Sequence, residues 1–158
     1  MSVDMTKWQE MAKERIHDRP AGTGRLAGKV TIVTGAAQGF GKGIAQELHR
    51  EGAAVIIADM NLPLAESVAA EMGGNTTAIA VNVSDEESVV DLVARTVEKF
   101  GGLDLMVANA GVVRSGPLAS FEKKDFEFVT SINYTGLFLC CKYAAIIMEA
   151  QHEADPEA

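Results

Sequence analysis

The sequence has 158 residues, of which 47% are hydrophobic, and it carries a formal net charge of -8. This length suits one domain with a hydrophobic core and is too short for two such domains. The hydrophobic content excludes an intrinsically disordered chain. The excess of acidic residues argues against a nucleic-acid partner, because neutralising phosphates requires clustered lysines and arginines.

The cysteines and histidines indicate a cytoplasmic protein without a metal site. Cys140 and Cys141 are adjacent, and neighbours on a helix point about 100° apart, so these two cannot easily bond to each other. We interpret both as reduced core thiols. The histidines are isolated, and no spacing of Cys and His suits a metal ion. No run approaches the roughly 18 apolar residues of a membrane span, so no membrane partner is expected.

Residues 1–25 differ in pattern from the rest of the chain. A short amphipathic helix is predicted there, because apolar residues recur at helical spacing among charged ones: Trp8, Met11, Ala12 and Ile16. Residues 18–24 are typical of a linker. Three placements of the helix stay open: on its own domain, on a neighbouring subunit, or as a loosely attached tail.

From residue 26 to about residue 150, strand-like and helix-like segments alternate. Unbroken apolar runs, typical of strands buried on both faces, predict strands at residues 29–34, 54–58, 77–81 and 103–108. Helical periodicity predicts helices at 42–51, 61 to about 72, 84–100, and 121 to about 148. This order predicts a Rossmann-type α/β fold with a doubly wound parallel sheet, of which about four strands are present. Residues 151–158 form an acidic tail or mark a truncation point.

Several helix boundaries have local signals. Asn61 can cap the helix that follows it, with Pro63 in the first turn. Ser84 and Glu87 have the spacing of a capping box, which predicts Ser84 as the N-cap of the next helix. The helices predicted at 42–51, 61 to about 72, and 84–100 are each followed by a glycine that predicts their end: Gly52, Gly73 and Gly101.

A glycine-rich turn links the strand at 29–34 to the helix at 42–51. Its sequence is Thr34-Gly35-Ala36-Ala37-Gln38-Gly39-Phe40-Gly41. Glycines let the backbone turn tightly and approach an anion closely, and the free N–H groups of a helix N-terminus point at that anion. The spacing differs from the commonest dinucleotide fingerprint, Gly-x-Gly-x-x-Gly. By itself, the turn predicts either a phosphate site or a loop that binds nothing.

Asp59 ends the second predicted strand and lies 18 residues after Gly41, which suits a dinucleotide-binding βαβ unit. A carboxylate there can accept a hydrogen bond from the adenosine 2′-hydroxyl and repels a 2′-phosphate. Neither Met60, which follows it, nor Gln38 in the glycine turn supplies the positive charge that would attract such a phosphate. The sequence therefore predicts NAD as the cofactor in preference to NADP.

Together with three further motifs, these features resemble the short-chain dehydrogenase/reductase family over about residues 26–150. The further motifs are Asn82-Val83, Asn109-Ala110-Gly111, and Asn133 within Ile132–Gly136. The resemblance implies a domain that transfers a hydride between nicotinamide and a carbonyl or alcohol. Asn82 replaces a frequent Asp of the family, and its amide can still hydrogen-bond adenine.

The resemblance also implies which residues bind the cofactor. The glycine loop would hold the pyrophosphate, and Asp59 at the end of the second strand would bind the adenosine ribose. Asn82 and Val83 would flank the adenine, and the turn after the fourth strand would line the cleft. The predicted cofactor-binding residues are Gly35, Ala37, Gln38, Gly39, Phe40, Gly41, Asp59, Met60, Asn82, Val83, Asn109, Ala110 and Gly111.

Asn133 occupies the position of the family's catalytic Asn, which holds a water that extends a proton relay. In the family, three further residues complete the catalytic set. A Ser holds the substrate oxygen, a Tyr acts as general acid and base, and a Lys four residues after the Tyr lowers the Tyr pKa. Neither Tyr134 nor Tyr143 has a Lys four residues on, and no serine follows Ser131. We therefore expect the acid and base to lie outside these 158 residues.

These observations favour the cofactor-binding part of a longer NAD-dependent oxidoreductase that interconverts a secondary alcohol and a ketone. The 158 residues alone are expected to be inactive. The alternative is a complete, non-catalytic NAD-binding or interaction module. Several motifs resemble family members that act on sugar alcohols or sugar phosphates, and a 3-oxoacyl reductase or another alcohol dehydrogenase is the alternative. As in the family, we expect a homo-oligomer, either a dimer or a tetramer.

Overall fold

The computed structural model describes residues 3–156 and contains a parallel sheet between two layers of helices. The strands are β1 (Val30–Thr34), β2 (Ala54–Asp59), β3 (Thr76–Ala80) and β4 (Leu105–Val107). The helices are α1 (Thr6–Glu14), α2 (Gly39–Arg50), α3 (Leu62–Met72), α4 (Glu86–Phe100), α5 (Lys123–Thr130) and α6 (Leu137–Ala154). A 3₁₀ turn spans Leu118–Ser120, and a π-helical turn, Ser131–Gly136, joins α5 to α6.

Within residues 3–156 the sheet has four strands in the order β3-β2-β1-β4, and every pair is parallel. Val33 of β1 is in register with Ile57 of β2 and with Val107 of β4. All of β1 is buried, as the unbroken apolar run predicts. The order confirms the predicted Rossmann-type α/β fold, and the strands agree with the predicted ones within a few residues.

Alternate residues of the strands face two separate cores. Ile32 and Ile56 are fully buried in the core shared with α1, α4 and α6. Val33, Val55 and Ile57 are fully buried in the core shared with α2 and α3. Helices therefore cover both faces of the sheet, which leaves the carboxyl ends of the strands to carry a site.

Helix α1 packs on its own domain, against α4 and α6. Ala12 on its inner face is fully buried. Trp8 Nε1 donates a hydrogen bond to Glu98 Oε1 at 3.1 Å, and an Arg15 guanidinium nitrogen donates to the Glu98 carbonyl at 3.0 Å. Of the three placements that the sequence leaves open, the structure shows the first.

Helix α2 begins at Gly39 instead of the predicted Lys42. Gly39 has a φ of 57°, so it turns the chain at the end of the glycine loop and the helix starts at once. The second half of the loop therefore forms the first turn of α2. This is where the backbone N–H groups of a helix are left without helical partners.

The N-cap of α4 is Asp85, so the predicted capping box on Ser84 is wrong. The Asp85 carboxylate accepts a hydrogen bond from the backbone N–H of Glu87 at 3.2 Å. The Ser84 hydroxyl donates instead to Asn82 Oδ1 at 2.8 Å. A carboxylate is also the better cap, because its negative charge interacts favourably with the positive end of the helix dipole.

The stretch predicted as one helix from residue 121 to about 148 consists of three helical elements, namely α5, the π-helical turn and α6, and it extends to Ala154.

The stretch Lys123–Ala154 is long and apolar enough to cross a membrane, by length and composition alone, with a mean hydropathy of 1.2. The prediction that no run approaches the length of a membrane span is therefore wrong. Of the most apolar window, 33% is buried inside the domain. The core helix of a soluble protein passes the same test, which makes this weak evidence for a membrane.

The two cysteines differ in environment. Cys140 is buried, and burial raises the pKa of its thiol to about 11. Cys141 is exposed, because the next residue on a helix points about 100° away. Both are free thiols. The prediction of core thiols is therefore right for Cys140 and wrong for Cys141.

Candidate nucleotide-binding cleft

A cleft of ≈ 390 Å³ opens where β1, β2 and β4 end and α2 begins. The chain runs outward from β1 to β3 and then returns to the other side of β1 as β4. Open parallel α/β sheets bind ligands at such a reversal of strand order. The lining residues are Gly35, Gln38, Gly39, Phe40, Gly41, Asp59, Met60, Val81, Asn82, Val83, Asn109, Ala110, Gly111, Val112 and Ile132.

All the predicted cofactor residues except Ala37 line this cleft. The structure thus brings together motifs that are far apart in the sequence. Ala37 is only 3% exposed, and its N–H donates a hydrogen bond to Asp59 Oδ2 at 3.1 Å, so it supports the loop from beneath. That these residues bind NAD stays a prediction.

Three apolar lining residues are not among the predicted cofactor-binding residues: Val81, Val112 and Ile132. Each directly adjoins a predicted site residue, so adjacency is the signal that could have found them. The motifs draw attention to glycines and polar groups, whereas these positions contribute apolar surface.

Close backbone approaches shape the glycine loop. Gly35 has a φ of 64°, and a Cβ there would lie 3.0 Å from Ala110 Cα. A Cβ on Gly41 would lie 2.2 Å from the Gly35 carbonyl oxygen and 2.6 Å from Asn109 Nδ2. A Cβ on Gly39 would meet no atom of the described chain within 4 Å. The loop is therefore packed against its own domain at Gly41 and open to the cleft at Gly39.

Asp59 is held by the backbone on both sides. Its Oδ2 accepts from Ala37 N–H at 3.1 Å and its Oδ1 from Asn61 N–H at 3.0 Å. An ionised carboxylate has about four acceptor sites, so each oxygen can accept a further hydrogen bond from a ligand. Among the described residues that line the cleft, Asp59 alone carries a formal charge.

Asn109 and Thr34 connect the ends of β1 and β4. Asn109 Nδ2 donates to the carbonyls of Thr34 at 2.9 Å and Gly35 at 3.3 Å. The N–H of Ala110 donates to Thr34 Oγ1 at 3.1 Å. These bonds hold the glycine loop against the turn after β4 at the floor of the cleft.

Asn82 uses its side-chain oxygen within its own turn. Oδ1 accepts from the Ser84 N–H at 3.1 Å and from the Ser84 hydroxyl at 2.8 Å. The Asn82 N–H donates to Ser88 Oγ at 2.9 Å. Of the two amide groups that could recognise a base, Nδ2 is therefore the one left for a ligand.

Asn133 holds the segment that follows β4. Its Oδ1 accepts from Val112 N–H at 2.9 Å, and its Nδ2 donates to the Val112 carbonyl at 2.9 Å. It lies in the π-helical turn Ser131–Gly136, and such turns are frequent at functional sites. The side chain thus positions Val112, a lining residue, and its part in a proton relay stays a prediction.

The cleft combines a helix N-terminus, a carboxylate and exposed apolar surface. The start of α2 favours an anionic group. Asp59 can accept hydrogen bonds from hydroxyls, and Phe40 and Met60, which are 90% and 72% exposed, offer apolar surface to a planar ring. Phosphate, sugar hydroxyls and a planar ring together describe a nucleotide. The fold is thus of the Rossmann type, and the cleft carries the groups that a nucleotide site needs.

The chain belongs to the short-chain dehydrogenase/reductase family. The family described as short chain dehydrogenase matches residues 29–155, which include the whole sheet and the cleft and leave α1 outside. Members of this family are oxidoreductases that generally use NAD or NADP.

Curated relatives agree with this assignment. The chain is 40% identical over 133 residues to tropinone reductase-like 1 of Erythroxylum coca, which covers 82% of this chain and 49% of that protein. It is 43% identical over 129 residues to secoisolariciresinol dehydrogenase of Forsythia intermedia, covering 78% and 46%. It is 36% identical over 126 residues to sorbitol dehydrogenase of Cereibacter sphaeroides, covering 80% and 49%. The chain thus spans about half the length of these relatives.

Proposed function

We propose that the protein binds NAD in this cleft and is an NAD-dependent oxidoreductase that interconverts a secondary alcohol and a ketone. One observation carries the choice of NAD. The Asp59 carboxylate is fixed at the end of β2 beside the glycine loop, where an adenosine ribose would lie in a βαβ unit. A bound nicotinamide would accept or supply the hydride.

The residues present fit such a cofactor. The open space above Gly39 admits a pyrophosphate next to the first turn of α2. Asp59 accepts hydrogen bonds from ribose hydroxyls, and Asn82 Nδ2 can donate to a ring nitrogen of adenine. Asn109 and Asn133 keep the two ends of the cleft in place through the bonds described above.

Replacing Asp59 with asparagine should weaken NADH binding by about tenfold or more, because the ribose loses a charged acceptor. NADPH should lose less or gain, since the repulsion of its 2′-phosphate disappears. Fluorescence titration of intact wild-type and D59N protein with both cofactors measures this change. The matched control is Asp91→Asn, which removes an exposed carboxylate on α4 that pairs with Arg95. Wild-type protein that binds NADPH as tightly as NADH would contradict the assignment of NAD.

The substrate class we propose is a secondary alcohol or its ketone, with sugar alcohols as the first members to test. One relative is named for sorbitol, and others are named for tropinone and for secoisolariciresinol. A panel of polyols, sugar phosphates and 3-oxoacyl esters, with NAD or NADH as appropriate, discriminates among these substrates. Turnover of 3-oxoacyl esters without turnover of polyols would exclude the sugar proposal.

A polypeptide of these 158 residues alone should bind NADH weakly and transfer no hydride. The Tyr143 hydroxyl is bonded to Glu86, and Tyr134 has Phe138 four residues later instead of a lysine. This lack of a tyrosine–lysine pair within the 158 residues also favours the second candidate function, a non-catalytic NAD-binding module. Hydride transfer measured by absorbance, with the 158-residue polypeptide and with the intact protein, separates the two. Binding without turnover by the intact protein would favour the module.

We also propose a cytoplasmic homo-oligomer, either a dimer or a tetramer. The free thiols Cys140 and Cys141 support a reducing compartment. Phe126 and Phe138, each 62% exposed on the stretch from α5 to α6, are apolar surface that a second copy could cover. Sedimentation of the intact protein as a monomer at micromolar concentration would contradict the oligomer.

A further inference from the structure

Tyr143 joins α6 to the first turn of α4. It is the largest fully buried side chain within residues 3–156, and its Oη donates a hydrogen bond to Glu86 Oε1 at 2.6 Å. Lys142 Nζ donates to the same oxygen at 2.8 Å and lies 3.2 Å from Tyr143 Oη. One carboxylate oxygen on α4 is therefore bound by two successive residues of α6.

The charges favour this arrangement. The hydrogen bonds from Lys142 and then Tyr143 lower the pKa of Glu86, so its carboxylate is ionised at neutral pH. Burial, the largest cause, raises the pKa of Tyr143, so the hydroxyl keeps its proton and remains a donor. Glu86 also lies in the first turn of α4, where the helix dipole stabilises a negative charge.

The same turn of α4 carries one wall of the cleft. Asn82 and Val83 line the cleft and are followed by Ser84, the N-cap Asp85 and then Glu86. The Asn82 N–H is bonded to Ser88 Oγ within α4 at 2.9 Å. A shift of the first turn of α4 would therefore move the Asn82-Val83 wall with it.

A second contact joins the same two parts of the chain. Gly136 ends the π-helical turn that leads into α6, and a Cβ there would lie 2.8 Å from Val83 Cγ2 and 3.1 Å from Val83 Cβ. The Asn82-Val83 wall thus rests directly on the start of α6. The Tyr143–Glu86 bond holds α6 and α4 together further along.

We propose that Tyr143 and Glu86 are positioning residues for recognition of the adenine base. Neither touches the ligand. The bond between them sets the position of the Asn82-Val83 wall, against which the base of the cofactor packs. This inference rests on the proposed NAD site. It adds two residues on α4 and α6 that lie outside the glycine loop, the Asp59 region and the Asn motifs.

The test measures base selectivity, which a loss of stability alone would not change. NADH and reduced nicotinamide hypoxanthine dinucleotide carry the same fluorescent dihydronicotinamide and differ only in the base. Wild-type intact protein should prefer NADH. Tyr143→Phe keeps the ring and removes the hydroxyl, and it should weaken NADH binding by about three- to tenfold and bring the ratio of the two dissociation constants close to one.

Three further variants separate positioning from stability. Ile147→Val removes a methylene from another fully buried residue of α6, so it should lower the melting temperature and leave the ratio unchanged. Glu86→Gln keeps an oxygen acceptor for Tyr143 and should retain most of the preference for NADH. Glu86→Ala removes the acceptor of both Tyr143 and Lys142, so it should bring the ratio at least as close to one as Tyr143→Phe does. The double variant E86A/Y143F should be no worse than E86A, because E86A already removes the Tyr143–Glu86 hydrogen bond together with the Lys142–Glu86 ion pair.

The failures can be distinguished. Wild-type protein that does not bind NADH would overturn the proposed function and, with it, this inference. Wild-type protein that prefers NADH, together with Y143F and E86A variants that keep the preference while melting at a lower temperature, would overturn the inference alone. Wild-type protein that binds both dinucleotides equally would also overturn the inference, since no wall would then discriminate the base.

Discussion

Replacing Gly39 with valine should abolish NADH binding by the intact protein, with a loss of at least about a hundredfold, and leave the domain folded. A Cβ at Gly39 meets no atom of the described chain within 4 Å, so the added methyl groups project into the space that a pyrophosphate needs. The backbone N–H groups of the first turn of α2 could then no longer approach the phosphate oxygens. Isothermal titration or NADH fluorescence measures the affinity.

A matched control isolates this effect from backbone strain. Gly39 has a φ of 57°, so valine there also strains the chain. Gly73, at the end of α3, has a φ of 65° and likewise no atom within 4 Å of its Cβ position, but it lies outside the cleft. Gly73→Val should therefore cost similar stability and leave the affinity unchanged. Equal affinities of G39V and G73V proteins would mean that the loop does not hold the pyrophosphate.

Replacing Gly41 with alanine should destabilise the domain by about 1–3 kcal/mol or more, as expected for atoms forced into a packed site. Its Cβ would lie 2.2 Å from the Gly35 carbonyl oxygen and 2.6 Å from Asn109 Nδ2. Two backbone segments would have to separate to make room. Denaturant unfolding measures the change, and the melting temperature should fall by about 2–4 °C per kcal/mol in a domain of this size.

Gly43 provides the control for this prediction. It lies in the same helix, and a Cβ there meets no atom within 4 Å beyond the helix itself. Gly43→Ala should stabilise the protein by up to about 1 kcal/mol, because alanine has the higher helix propensity. A Gly41→Ala protein as stable as Gly43→Ala would show that the approach of Gly41 to Gly35 does not constrain the loop.

The two glycines show how far the sequence alone could reach. The loop, taken together with Asp59 and the Asn motifs, predicts a phosphate site, and its sequence groups Gly35, Gly39 and Gly41 as one motif. Only the folded structure separates their tasks, because the distances from Gly41 to Gly35 and Asn109 depend on how β1 packs beside β4. Sequence reasoning therefore identifies the loop but cannot say which glycine is open to the cleft and which packs against the rest of the domain.

The errors of the sequence-based predictions have a common cause. The N-cap of α4 shifts from Ser84 to Asp85 because Asn82, two residues before Ser84, binds its hydroxyl. Cys141 is exposed because α6 presents only part of its surface to the core. In each case the pattern identifies the type of element correctly. The competing partner or the packed face that decides the detail is a property of the tertiary structure.

Local patterns were sufficient for the alternation of strands and helices, the parallel sheet and the family. Hydrophobic periodicity and glycine placement act over a few residues, so the chain order alone reveals them. Contacts between distant segments decided the rest. Asn133 hydrogen-bonds the backbone of Val112, Tyr143 donates a hydrogen bond to Glu86, and α1 packs against α4 and α6. Such contacts depend on which surfaces meet when the sheet and its helices pack, and no spacing along the chain records that.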